Sequence, residues 1–265
     1  MYKLKICRKS TSGLGSGRST GVSGEYDEAT QTYGGWEEAY GDASKSWTEY
    51  TDSYNSNVSE ADKKAIESSF DADNWETFGY VRTSNAFEIN QQLYDVFNDG
   101  LSDEEIFTRT DSKGELRDLQ TVKALDRAIA SGRVPKNAIF TRFTSYDAIR
   151  ATFLLTSNQT FALKGADRLN AAELKQLSNA MKGTVGESNA FTSTSGNRQL
   201  NVFRGSPVER KLYVPKGTKA YAVSWNKDES EVIFGRGMKT EVIGITVAKD
   251  GHLVMHERFI GYNRK

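Results

Sequence analysis

The stretch Glu229-Ser230-Glu231-Val232-Ile233-Phe234 decides how the rest of this chain is interpreted. Its apolar second half predicts a buried β-strand that ends at Gly235-Arg236-Gly237. Residues i and i+2 of a strand project from the same face, so Glu229 and Glu231 are predicted to lie side by side. Paired carboxylates raise one another's pKa, which favours a proton-accepting role for one of them. A solvated strand face is the simpler alternative, so the pair becomes informative only together with other motifs.

Two further motifs precede this stretch. Arg142 lies inside the strand-like run Ala138-Ile139-Phe140-Thr141-Arg142-Phe143, where a guanidinium needs an anionic partner because its charge cannot be neutralised. Phe191-Thr192-Ser193-Thr194-Ser195 follows it. The order of Arg, Ser-Thr-Ser and Glu-x-Glu resembles the signature of mono-ADP-ribosyltransferases, in particular the arginine-specific enzymes of the bacterial toxin and phage type.

The surroundings of these motifs resemble the same family. Tyr80-Val81-Arg82-Thr83-Ser84 leads into Phe87-Glu88-Ile89-Asn90-Gln91-Gln92-Leu93, which is similar to the family helix with an Ile-Asn pair. Tyr213-Val214-Pro215-Lys216-Gly217-Thr218 resembles the family's Pro-Lys-Gly turn. The resemblance covers residues 57–265 and implies an ADP-ribosyltransferase fold, a split β-sandwich with an NAD cleft between its sheets.

Hydrophobic periodicity gives the fold class independently of the resemblance. Helical patterns come first and strand patterns follow from Ala190, an order that predicts an α+β domain with a helical N-terminal part. The predicted helices are a capped helix starting at Ser59, then Asn85–Phe97, Asp118–Ala130 and Leu169–Met181. The predicted strands after the Ser-Thr-Ser motif are Val202-Phe203, Lys211–Val214, Ala220–Trp225, Glu231–Phe234, Thr240–Val247 and His252–Ile260.

Charge is distributed unevenly along a chain whose formal net charge is zero. Residues 1–24 contain five basic and no acidic side chains, a charge of +5, and many of them are Gly, Ser or Thr. Residues 25–56 contain eight acids and one lysine, a charge of −7, which leaves +2 for the remainder. We therefore predict an accessory segment over residues 1–56 and a catalytic domain over residues 57–265. The zero total gives no global field that favours nucleic acid or membrane.

The acidic part of this accessory segment contains a regular aromatic stripe. Its period of seven residues predicts a helical stripe of rings, although three glycines weaken an isolated helix by roughly 1 kcal/mol each. One alternative is packing onto the chain's own catalytic domain; another is docking of a partner such as an antitoxin, immunity protein or chaperone at residues 26–54. The repeated rings are those of Tyr26, Tyr33, Tyr40, Trp47 and Tyr54.

Several features limit the other classes of function. Cys7 is the only cysteine, so no intrachain disulfide forms. The first residues lack an apolar core of signal-peptide length, and no run approaches the roughly 18 apolar residues of a membrane span. We expect a cytoplasmic protein, or one delivered into a target cell's cytoplasm without a classical leader. His252 and His256 are predicted to lie about 13 Å apart on a strand, so we expect no metal site.

The resemblance assigns roles to the motif residues. It implies that NAD is the substrate, that Arg142 clamps its diphosphate, and that Ser193 holds Glu231 by a hydrogen bond. Glu231 then contacts the ribose and stabilises the positive charge that develops as the nicotinamide–ribose bond breaks. Thr194 and Phe191 join the set predicted to bind NAD, although packing in the core is the favoured interpretation for Phe191.

Glu229 refines the predicted acceptor. In this family a glutamate at that position accompanies arginine specificity, and a cationic guanidinium does need a carboxylate to bind it and accept its proton. Trp225, in the predicted acceptor loop Tyr221–Asp228, is a candidate platform for the acceptor, with core packing as the alternative. We therefore expect transfer of ADP-ribose to protein arginine, with NAD glycohydrolase activity on the side. The alternatives are an RNA or DNA base as acceptor, or a binding module that keeps the fold without turnover.

Overall fold

The computed structural model describes most of the predicted catalytic domain and part of the segment before it. The helices are α1 (Trp47–Asn55), α2 (Glu60–Ile66), α3 (Asn85–Tyr94), α4 (Asp103–Ile106), α5 (Arg117–Ser131), α6 (Tyr146–Phe153), α7 (Ser157–Lys164) and α8 (Ala171–Met181). The described residues are 37–38, 47–67, 69–71, 76–80, 85–94, 100–108, 110, 114–196, 205–224 and 229–263.

Most of the described strands join one mixed sheet in the order β5-β10-β11-β7-β4-β6-β9-β8, with β1 paired to β4 and a separate β2–β3 hairpin. The pairs β7–β11 and β1–β4 are parallel, and the others are antiparallel. The strands are β1 (Glu37–Glu38), β2 (Ser69–Asp71), β3 (Glu76–Phe78), β4 (Ala138–Thr144), β5 (Val185–Ser188), β6 (Thr192–Ser195), β7 (Val208–Val214), β8 (Tyr221–Ala222), β9 (Glu231–Phe234), β10 (Met238–Val247) and β11 (Leu253–Tyr262).

The sheet is divided into two halves at β4 and β6. These two strands share a single residue pair, Thr141 with Ser195, whereas β4 pairs with β7 along its full length. Phe140 from one half and Phe234 from the other pack edge to face in one buried cluster, their ring centroids 5.1 Å apart. The halves therefore face each other across a core, as the split sandwich requires. We call this the central cluster; its sheet members are Ala138, Phe140, Leu212, Val214, Ala222, Val232, Phe234 and Met238.

Helices cover the two remaining apolar surfaces. α5 carries Val122, Leu125 and Ile129 into a second cluster, together with Tyr80 and Phe191. A third cluster forms where α6, α7 and α8 pack on the far end of the sheet, and Phe153 and Val208 belong to it. The α+β class is confirmed, since helices and a mixed sheet build the described domain.

Local sequence signals located several elements closely. Ser59 caps α2, its hydroxyl accepting from the Asp62 amide at 3.1 Å, as the capped start predicts. The predicted helix Asp118–Ala130 is observed as Arg117–Ser131, and the strand Glu231–Phe234 is observed with those bounds. The predicted strand Val202-Phe203 lies outside the described residues.

α1 packs against the central cluster rather than standing apart from it. Trp47 and Tyr54 are each 1% exposed, and Tyr50 is buried beside them. The Trp47 indole donates to the Val223 carbonyl at 2.7 Å, and Asn55 bonds both the amide and the carbonyl of Ala222. The division after residue 56 stays a prediction, but this packing favours the alternative in which the stripe covers the chain's own domain.

Candidate active site

Three predicted site residues come from three neighbouring strands. Arg142 on β4 donates from Nη1 to the Ser193 carbonyl on β6 at 2.6 Å. The Ser193 hydroxyl in turn donates to Oε1 of Glu231, the first residue of β9. Strand register explains the contact between Ser193 and Glu231. Ser193 pairs with Ile233, and Glu231 is two residues before Ile233 on β9, so its side chain projects from the same face of the sheet. The sheet thus links a guanidinium, a hydroxyl and a carboxylate into one chain of hydrogen bonds.

The predicted strand over residues 229–234 is wrong in its first two residues. Strand β9 begins at Glu231, and Ser230 has φ 47°, a left-handed conformation rare for a residue with a side chain. Glu229 therefore lies in a turn and not beside Glu231 as an i, i+2 strand neighbour. The end of β6 holds this turn, because the Ser195 hydroxyl donates to the Glu229 carbonyl and the Gly196 amide donates to the Ser230 carbonyl at 2.9 Å.

Thr194 and Phe191 are buried and make contacts other than the hydrogen bonds that link Arg142, Ser193 and Glu231. The Thr194 hydroxyl donates to the Val232 carbonyl at 2.7 Å and is buried, so it ties β6 to β9. Phe191 is 1% exposed and packs edge to face on Tyr80, with ring centroids 5.7 Å apart. Binding of NAD by these two side chains stays a prediction, and their burial favours a packing role.

Tyr80 and Asn90 are residues that the predicted site omitted. Asn90 on α3 donates from Nδ2 to the Tyr80 hydroxyl at 2.7 Å. This bond connects the helix to Tyr80, which packs on Phe191. Burial, and to a smaller extent the negative charge of Glu231, raises the pKa of Tyr80, so its hydroxyl stays protonated at neutral pH. The signal was present in the sequence, because both residues belong to the family-like motifs around the helix.

The electrostatics of Arg142 suit an anionic ligand. Burial lowers the pKa of Arg142, and the neighbouring positive charge of Arg210 lowers it further. A guanidinium nevertheless stays charged at any physiological pH. Arg142 donates to the neutral Ser193 carbonyl, and no carboxylate of the described residues forms an ion pair with it. The site therefore presents a positive charge and a planar donor fork, which fits a diphosphate.

The acceptor side of the site is described only in part. Trp225 and the rest of residues 225–228 lie outside the described residues, so its role stays a prediction. Before that loop, the Ser224 hydroxyl donates to Glu67 at 2.8 Å. A cavity of about 510 Å³ opens beside Ser224 between α1 and α2, and three carboxylates and two lysines contribute to its lining: Asp52, Glu60, Glu67, Lys63 and Lys64.

The two histidines lie on β11 and just before it, away from this site. His252 Nε2 donates to the Glu209 carboxylate at 3.0 Å, and His256 lies between the Tyr213 and Thr246 hydroxyls, each 3.1 Å away. Burial lowers the pKa of His256 to about 3, and nearby Lys211 adds to the effect. Within the described ranges, no group of three or more metal-binding side chains occurs.

Comparison with known proteins identifies a family and agrees with the fold. The family model described as ADP-ribosyltransferase exoenzyme matches residues 44–259. C3stau2 from S. aureus, solved with NAD, is 21% identical with a TM-score of 0.56, the match covering 81% of this chain and 94% of that one. The toxin Plx2a from Paenibacillus larvae is 18% identical with a TM-score of 0.54, covering 81% and 95%.

A longer toxin component shares the fold over about half its length. The enzymatic component C2-I of the Clostridium botulinum C2 toxin is 18% identical with a TM-score of 0.55, and the match covers 83% of this chain and 47% of that one. At these identities the likeness shows a common fold. No curated protein matches the chain. None of the described helices combines the length and apolar character needed to cross a membrane.

Proposed function

Since this chain belongs to the ADP-ribosyltransferase exoenzyme family, we propose that it transfers one ADP-ribose unit from NAD to an arginine side chain of an acceptor protein. The observation that carries the proposal is the hydrogen-bonded chain from Arg142 through Ser193 to Glu231. These are the three residues that the family resemblance had marked, and three separate strands bring them together.

Each of the three residues has a role that its contacts support. When bound, NAD supplies the nicotinamide–ribose bond whose cleavage leaves positive charge on the ribose. Arg142 holds the diphosphate, because its planar fork suits bidentate binding and no carboxylate of the described residues forms an ion pair with it. Glu231 receives a hydrogen bond from Ser193 on Oε1, so the carboxylate is oriented before any ligand binds. A preorganised carboxylate of this kind stabilises developing positive charge without reorganising.

Glu229 is the proposed determinant of the acceptor. It lies in the turn just before the catalytic strand, and the Ser195 hydroxyl fixes its backbone carbonyl. Glu229 is partly buried, and its carboxylate binds an incoming guanidinium and accepts its proton. The polar cavity next to Ser224 is proposed to receive neighbouring parts of the acceptor protein. With no acceptor present, water takes its place and NAD is hydrolysed.

Location and partners complete the proposal. We place the activity in a cytoplasm, either that of the producing cell or that of a target cell. A protein partner at residues 26–54 stays part of the proposal, although the buried Trp47, Tyr50 and Tyr54 already pack on the chain's own domain.

Nucleic acid is the second candidate acceptor. The observation that favours it is the cluster of five basic side chains without an acid in residues 1–24, a composition that binds phosphate backbones. A neutral base amine needs no anionic anchor, so Glu229 would then be dispensable. A binding module without turnover is disfavoured, because the chain has all three residues that the family signature requires. Hydrogen bonds link these residues, which are Arg142, Ser193 and Glu231.

The variant Glu229→Gln separates these acceptors. We expect it to keep slow NAD hydrolysis and to lose transfer to agmatine, because the guanidinium loses both its anchor and its proton acceptor. Transfer of labelled ADP-ribose to agmatine, total cell protein and total RNA is measured for this variant beside the wild type. A wild-type protein that ignores agmatine but labels RNA, with the variant unaffected, would replace the arginine proposal by the nucleic-acid one.

A further inference from the structure

A row of polar and charged side chains crosses four neighbouring strands beside the proposed diphosphate clamp. Arg142 on β4 lies directly opposite Arg210 on β7 in the antiparallel register. Arg210 donates to Glu257 of β11 twice, from Nε to Oε1 at 2.7 Å and from Nη2 to Oε2 at 2.6 Å. Thr240 of β10 donates to Glu257 Oε2 at 2.7 Å. We call Arg142, Arg210, Glu257 and Thr240 the charged row.

The charged row separates two apolar clusters. Along β7, Val208 belongs to the cluster under α6 to α8, Leu212 belongs to the central cluster, and Arg210 lies between them. Arg210 is 3% exposed and Glu257 is 0% exposed, and the Phe153 ring lies 5.7 Å from the Arg210 guanidinium. An ion pair buried this deeply contributes little to the stability of the fold, since apolar residues of similar volume are often at least as stabilising.

The charges within the row do not balance. It contains two guanidinium groups and one carboxylate, and both oxygens of that carboxylate are engaged by Arg210 and Thr240. Arg142 is left with a neutral carbonyl as its hydrogen-bond partner. One positive charge is therefore uncompensated inside the row, at the end that leads to Ser193 and Glu231.

We propose that Arg210 is a positioning residue for the diphosphate clamp, which keeps Glu257 from pairing with Arg142 and so leaves the Arg142 guanidinium available to NAD. This inference rests on the proposed function, in which Arg142 binds the diphosphate. The backbones of β4 and β11 are two strand spacings apart, about 10 Å. An arginine and a glutamate side chain together span that gap once the side chain at position 210 no longer fills it.

The test uses a charge-rescue experiment on the full chain. Arg210→Met frees Glu257, so we expect KM for NAD in the hydrolysis reaction to rise roughly tenfold or more, with kcat changed far less. Arg210→Met combined with Glu257→Leu removes the competing carboxylate, and KM should return to near the wild-type value. Thr240→Val is the matched control, because it removes a hydrogen bond within the row and leaves every charge in place; its KM should not change.

The rescue distinguishes this mechanism from a purely structural role. If Arg210 only stabilised the fold, the double variant would be no better than the single one. A folded double variant whose KM for NAD stays as high as that of Arg210→Met would overturn the inference. Should Arg210→Met fail to fold, Arg210→Gln keeps a hydrogen-bond donor for Glu257, and its partner is Arg210→Gln with Glu257→Gln; the same rise and rescue are expected.

Failure of the proposed function would look different. A wild-type protein that shows no NAD binding by calorimetry, or an Arg142→Lys variant with unchanged affinity, would remove Arg142 from the clamp. If wild type binds NAD and Arg142→Lys weakens that binding, a missing rescue contradicts the role of Arg210 alone.

Discussion

At the residue scale, the Ser193 hydroxyl donates to the Glu231 carboxylate and orients it. Glu231 is buried, with 8% of the residue exposed. Glu231→Gln keeps the shape and the hydrogen bond but removes the negative charge. We expect the transition state to lose about 2–4 kcal/mol of stabilisation, which slows transfer and NAD hydrolysis together by roughly 30- to 900-fold. Nicotinamide release measures the effect, and a thermal melt shows whether the fold is intact. Near-wild-type release would remove Glu231 from the catalytic role.

His256 gives a second prediction at this scale, on stability and pH. Its pKa is lowered to about 3 in the folded chain, so the unfolded state, with a pKa near 6.5, binds more protons between these values. The contribution of His256 to stability is therefore complete above about pH 6.5 and is lost as pH falls towards 3. The slope reaches about 1.4 kcal/mol per pH unit for one group.

Urea unfolding at a series of pH values tests this contribution. His256→Gln is less stable than wild type at pH 8, because the hydrogen bonds to Tyr213 and Thr246 are disturbed. Its free energy of unfolding should nevertheless fall less steeply between pH 6.5 and 4. Parallel curves for the two proteins would show that His256 does not titrate on unfolding.

At the element scale, Arg236 holds the turn after β9 to two helices. It is 8% exposed in its side chain and pairs with Asp103 of α4 and Asp126 of α5, and its guanidinium lies 5.6 Å from the Phe191 ring. The turn is therefore held close to Phe191, which packs on Tyr80. These contacts connect the end of β9 to the helical layer.

Arg236→Met should destabilise the fold by about 2–4 kcal/mol, because two neighbouring aspartates lose their shared cation. Arg127→Met is the matched control on α5: Arg127 pairs with Asp62 but is 61% exposed in its side chain, and exposed pairs contribute about 1 kcal/mol or less. Chemical denaturation measures both variants. Equal losses would show that the Arg236 cluster is no more than a surface ion pair.

At the scale of the whole molecule, α1 decides where the catalytic domain begins. We propose that the domain includes residues from Trp47 onward, since Trp47 and Tyr54 complete the core between the two halves of the sheet. A chain starting at residue 47 should fold and hydrolyse NAD. A chain starting at residue 57 should be unstable or insoluble, because it exposes the apolar surface that α1 covers. Equal melting temperatures for the two truncations would contradict this proposal and favour a catalytic domain that begins after residue 56.

The sequence by itself determined the order of the motifs that contain the proposed site residues. Arg142, Ser193 and Glu231 stand in short motifs whose chemistry is readable without coordinates, and the structure connects all three. Local periodicity also located α5 to within one residue at each end and the apolar part of β9, because the contacts that set such elements lie within a few positions along the chain.

Only the tertiary structure decided which face each side chain occupies and which distant residues meet. The left-handed Ser230 moves Glu229 off the strand, and Thr194 points to the opposite side of β6 from Ser193. Arg210 and Glu257 meet although they are 47 positions apart. The physical reason is strand register: a shift by one residue reverses every face, and register is set by pairing with remote strands and not by the local sequence.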